Sequence, residues 1–165
     1  MKYRVILILF CVHLVSVMSV AQTKDRVLDS LIEIQPNQGS PREKAEGLRS
    51  VIWPYIIRIE DVGVLKFITS LDSLYQCCIA GQTGDTTYEK EVLADVQFFK
   101  GSKLTHTDPA AARPLIESAI EQFRSLGDST KAAVGFMQLI WTLSNLGDST
   151  SFAFVRQQAI KLLPH

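Results

Sequence analysis

Histidine and cysteine are scarce: three of each occur in 165 residues. A zinc or iron site needs several such ligands at short, set spacings, and no such spacing occurs, so no metal site is expected. An excess of one charge is also missing. Seventeen basic residues balance 17 acidic ones, and the lysines and arginines are dispersed, which removes the basic stripe of a nucleic-acid binder. No alternating apolar run of strand length appears, which argues against a sheet. The chain also lacks GxSxG, HExxH and SxxK, and lacks a glycine-rich loop ending in Lys. Serines, Cys77 and Cys78 could act as nucleophiles, but no histidine is placed to serve them, and the Glu60-Asp61 pair reads as a solvated turn. The expectation is a non-enzyme with no catalytic residues, no cofactor and no metal.

Long apolar runs are lacking too, except at the start. Lys2 and Arg4 precede a mostly apolar stretch from Val5 to Met18, and Ser19-Val20-Ala21 follows with small residues where a signal peptidase cuts. The stretch is shorter than the roughly 20 residues a spanning helix needs. Residues 1–21 therefore read as an export signal cleaved before Gln22, with no stable membrane anchor afterwards. A lipid anchor on Cys11 is disfavoured by the bulky Phe10 before it. The expected location is periplasmic or extracellular, and losing Lys2 and Arg4 leaves the remainder slightly acidic.

What is present is helical period. Val64, Ile68, Leu71, Tyr75 and Cys78 recur at steps of three or four, and Ala112, Leu115, Ile116, Ala119, Ile120, Phe123 and Leu126 lay a stripe along another segment. Ser40-Pro41 with Glu43, and Thr86 with Glu89, have the form of capping boxes. Asp108 and Pro109 open a further helix, and Pro114 fits if that helix begins close to it. Helices are expected near 23–35, 41–53, 55–80 with a break around Asp61 to Gly63, 87–104, 110–126, 130–146 and 150–163. Pro54 should break or kink its segment. Cys77 and Cys78 fall inside a helical pattern that excludes a bridge between neighbours, so one is expected in the core and one near the surface.

LGDST occurs twice, at Leu126 to Thr130 and Leu146 to Thr150, with an echo in GDTT from Gly84. Each copy lies where one periodic segment ends and the next begins. Gly127 and Gly147 can take the left-handed conformation that ends a helix, and the following polar residue can cap the next. The motif is thus a turn between antiparallel helices.

These features resemble tetratricopeptide repeats, two-helix units that stack into a solenoid. Ala112, Ile116 and Ala119 match the small, large and small positions of the second helix, followed by FRSLGD. In the next unit Phe136, Leu139 and Leu143 match first-helix apolar positions, Ala159 the second-helix alanine and Pro164 the closing proline. Ala119 and Ala159 lie 40 residues apart, longer than the usual repeat of about 34, which is similar to extended bacterial variants. Ile140, Phe152, Arg156 and the offset Gly101 depart from the pattern. The resemblance implies an all-α short solenoid, with N-terminal helices over 22–85 holding one degenerate repeat and two helix pairs over 86–165.

Such repeats present a surface to another chain. The turn phrase is similar to the extracytoplasmic sensor regions of bacterial signalling proteins, so the implied role is the sensor portion of such a protein, binding a protein or peptide and no nucleic acid. A free-standing helical-bundle adaptor is the alternative, and a small exported enzyme the more remote one. In this family the first helix of each pair lines the binding face. On the helix from Thr130 that points to Met137, Trp141 and Asn145, with Trp141 as the amphipathic anchor.

Overall fold

Five of the helices begin at a side chain that closes their first turn, Ser40, Asp85, Asp108, Asp128 or Asp148, in the computed structural model, which describes residues 39–58 and 62–160. The helices are α1 (Pro41–Ile52), a 3-10 turn (Trp53–Arg58), α2 (Val62–Cys78), α3 (Thr86–Leu104), α4 (Pro109–Ser125), α5 (Ser129–Leu146) and α6 (Ser149–Ile160). The described residues are all-α and contain no strand. The export signal over residues 1–21, the helix expected over 23–35 and the position of Pro164 lie outside the described residues.

Ser40 and Glu43 form the expected capping box on α1. At α3 the cap stands one residue earlier than expected. Asp85, not Thr86, accepts the Tyr88 N–H at 3.0 Å, which frees Glu89 to bind the turn before it through Gly81 N at 3.0 Å and Thr83 Oγ1 at 2.8 Å. Asp108 caps α4. Pro114 is the sixth residue of that helix, deeper than the expected first turn, so the Ala110 carbonyl lacks its usual helical donor.

Both LGDST copies do the same mechanical work. Gly127 and Gly147 have φ of 76° and 70°. Asp128 N donates back to Phe123 O at 2.9 Å and Asp148 N to Leu143 O at 3.1 Å, the six-to-one bond of a glycine-terminated helix. The two aspartates then turn their carboxylates forward, accepting from Lys131 N at 2.9 Å and Ser151 N at 3.0 Å. In GDTT, Gly84 has φ of 67° and Asp85 caps.

Packing runs from each helix to the next. Trp53, swung inward by the 3-10 turn that Pro54 imposes after Ile52, stacks on Phe98 with centroids 5.2 Å apart and meets Phe99 and Phe123 edge-on or tilted. Phe98, Phe99 and Phe123 are fully buried, each contributing roughly 1.5–3 kcal/mol by leaving water. A second cluster gathers Ala112, Ile116, Ile120, Phe136, Leu139, Leu143 and Val155 from α4, α5 and α6. Two glycines permit the close crossings. A Cβ on Gly101 would fall 2.6 Å from Ile116 Cγ1 and 3.2 Å from the Ala112 carbonyl, and one on Gly135 would fall 2.6 Å from Ile120 Cγ1.

The cysteines differ from expectation. Cys77 and Cys78 are joined in a disulfide between adjacent residues, with Cys77 exposed and Cys78 half-buried. The periodic stripe suggested a helix interior, but α2 ends at Cys78 and the chain turns at once, so the pair sits where the backbone is leaving the helix.

Candidate interaction surface

The odd-numbered helices α1, α3 and α5 are joined side to side by polar groups. At the centre lies Asp95 of α3, fully buried. It accepts from Arg49 Nε of α1 at 2.5 Å and from Lys131 Nζ of α5 at 3.1 and 3.3 Å. Arg49 also donates to Glu46 at 2.7 Å and to Glu91. Burial works against its charged form, but Asp95 and Glu91 outweigh that and hold its pKa above the ordinary value. Lys131 Nζ stands 5.1 Å from the Trp53 ring centre and 5.6 Å from that of Phe123, so the network rests on the aromatic cluster as a cation over rings.

The two ends of this seam are also tied. Arg42 of α1 pairs with Asp85 at 3.3 Å and lies over the Tyr88 ring, and Tyr88 donates its hydroxyl to the Arg42 carbonyl. Burial pushes the Tyr88 pKa up to about 12. At the far end, Thr105 and Thr142 share a hydroxyl contact of 3.0 Å. Gln138 Nε2 donates to Thr105 Oγ1 at 2.8 Å.

The three residues singled out from the sequence divide here. Met137 and Trp141, one turn apart on α5, are 56% and 54% exposed. They share a stripe on the side of α5 away from Phe136, Leu139 and Leu143. Asn145 is also exposed, yet its amide donates to the Thr105 carbonyl at 2.9 Å and lies 3.3 Å from His106 Nδ1. It anchors the end of α5 to the end of α3 beside the apolar stripe. The Arg49–Asp95–Lys131 network and the Gly135 crossing had gone unremarked in the sequence. Only a glycine in mid-helix, which weakens a helix and so needs a packing reason, gave any signal of the latter.

Among the described residues no three His, Cys, Asp or Glu side chains gather as a metal ion would need, and no helix is long and apolar enough to cross a membrane. Comparison with known protein families, curated proteins and solved structures finds no match.

Proposed function

We propose that this chain is an exported helical-repeat module without catalytic activity. In this reading it binds a protein or peptide partner on the exposed stripe of α5, in the manner of the sensor portions of signalling proteins that its repeats resemble. The observation that carries the reading is the pair Met137 and Trp141. Two large apolar side chains stand a turn apart in water, more than half exposed, on a helix otherwise well buried on its inner face. Such pairs of aromatic and flexible apolar groups are typical interface anchors.

The stacked-repeat part of the reading is supported by the order of contacts. Each helix folds back on its predecessor, while α1, α3 and α5 are bridged directly through Asp95 and Thr105, as the first helices of successive pairs would be. Asn145 takes the role of fixing the platform, and Met137 and Trp141 that of touching the partner.

The test is a photo-crosslinking residue at position 141 in the full chain, expressed in its native host with mass spectrometry of adducts. One dominant protein adduct, lost when Met137→Ala is added, is expected. Adducts that ignore Met137→Ala, or none at all, would remove α5 as the binding face.

A further inference from the structure

A groove of about 610 Å3 runs between α4 and α6, on the other side of α5 from Met137 and Trp141. Its floor is apolar, made by Ile120, Phe136, Leu139 and Val155. At its mouth stands Phe154 of α6, 63% exposed and the most exposed large apolar side chain among the described residues. Apolar hole and apolar knob thus belong to one face.

We propose that this face joins two copies of the chain about a twofold axis, with Phe154 of each copy entering the groove of the other. A twofold interface must be its own complement, since the same patch meets itself. The knob and hole meet that requirement in shape, and the rim meets it in charge. Arg113 is already engaged inside the chain, with Glu117 at 2.8 Å and Asp148 at 3.0 Å. Further along the same wall of α4, Glu121 and Arg124 also line the groove, and no ion pair within the chain uses either among the described residues. They carry opposite signs three positions apart. An axis passing between them sets Glu121 of each copy against Arg124 of the other, so both charges are answered at once. A partner of one sign would answer one and oppose the other. The facing wall, Thr150, Ser151 and Gln158 on α6, is uncharged and adds no repulsion.

Sedimentation equilibrium of the full chain from micromolar to millimolar concentration tests the inference. A reversible monomer–dimer equilibrium is expected, weakened at least ~30-fold by Phe154→Asp, which places a charge where an anchor should insert. Glu121→Arg and Arg124→Glu singly should each weaken it about tenfold by setting like charges together, and the two combined should restore it to within about threefold. Circular dichroism melting of each variant confirms that the fold is kept, since all three side chains are exposed. A chain monomeric throughout overturns the inference, whether its groove is empty or filled by its own residues. So does a dimer indifferent to Phe154→Asp, or a double exchange no better than the singles. Loss of this dimer leaves the α5 stripe untouched, so its failure and that of the partner-binding reading are separable by the crosslinking result.

Discussion

The chain has two tryptophans, and the regions around them are built by opposite rules. Around Trp53, where α1, α3, α4 and α5 meet, charges are taken inside: Asp95 is fully buried, and Arg49 and Lys131 close over it against aromatic rings. Around Trp141, on the outer side of α5, apolar groups are left outside. Met137 and Trp141 there are each more than half exposed, and on other faces so are Phe154 and Ile160 of α6. Burying an ion pair is at best neutral for stability, since desolvation consumes most of the attraction, and exposing large apolar groups gains the monomer nothing. The first arrangement fixes how three helices register. The second leaves apolar surface in water.

Breaking the inner region should have the largest effect. Arg49→Met leaves Asp95 buried with only Lys131 to answer it, an expected loss of about 3 kcal/mol in urea unfolding. Trp53→Ala opens a cavity among Phe98, Phe99 and Phe123 and should lose about 3–5 kcal/mol. If Arg49→Met proves neutral, water reaches Asp95 and answers its charge in place of Arg49.

The next effect separates two kinds of glycine. Gly101→Ala pushes a methyl against Ile116 and the Ala112 carbonyl at the α3–α4 crossing, so overpacking should outweigh the gain in helix propensity, for a net loss of about 1–3 kcal/mol. At Gly127 nothing stands within 4 Å of an added Cβ, and the penalty is conformational instead. Gly127→Val forces a β-branched residue into φ of 76°, at about 1–2 kcal/mol, whereas Asp128→Asn keeps a capping oxygen and should hardly move the melting temperature. Should Gly127→Val melt like the parent while Asp128→Asn collapses, the turn reading of LGDST fails.

These glycines also show what a linear reading can and cannot reach. Helix ends were legible because their signals are local: glycine, aspartate and proline act within five residues, and the stripes through Val64 to Tyr75 and Ala112 to Phe123 repeat at short period. The errors of detail were local as well, as where Asp85 outcompeted Thr86 for the cap and where α2 stopped at Cys78 instead of running on to residue 80. What stayed hidden was assembled across distance. Arg49 and Asp95 lie on different helices, and each alone reads as an ordinary surface charge. Pro54 announced a break without saying that the break would carry Trp53 into the core. Within the candidate surface, spacing alone put Met137 and Trp141 on one stripe, but the bond from Asn145 to Thr105 depends on α3 ending beside α5.

Smaller effects follow from pH. Hydrogen bonds from the Tyr88 backbone to Asp85, from Thr83 to Glu89 and from Ser151 to Asp148 hold these carboxyls below their ordinary values. Their contribution is therefore present above the unfolded values of 3.8 for Asp and 4.5 for Glu, and is lost as pH falls through the lower folded ones. Tyr88 shifts the opposite way. With its pKa raised from 10.0 to about 12, its contribution is full below 10.0 and fades as pH rises toward 12. Ultraviolet titration should show a phenol ionising near pH 12 that Tyr88→Phe removes. Melting curves should decline on the acid side in parent and Tyr88→Phe alike.

The smallest effect on the fold should come from the outer tryptophan, and its smallness is the sharpest test of the comparison. Trp141 is 54% exposed and Met137 56%, so Trp141→Phe and Met137→Ala remove surface that the monomer does not use, and each should change stability by less than about 0.5 kcal/mol. Fluorescence separates the two regions directly. With Trp141→Phe the remaining emission arises from Trp53 among its phenylalanines and should be blue-shifted and shielded from iodide. With Trp53→Phe it arises from Trp141 and should be red-shifted and readily quenched. Equal quenching in the two variants would mean that Trp141 is covered in the free chain, by its own residues or by a second copy. The stripe would then lose its standing as an open surface awaiting a partner.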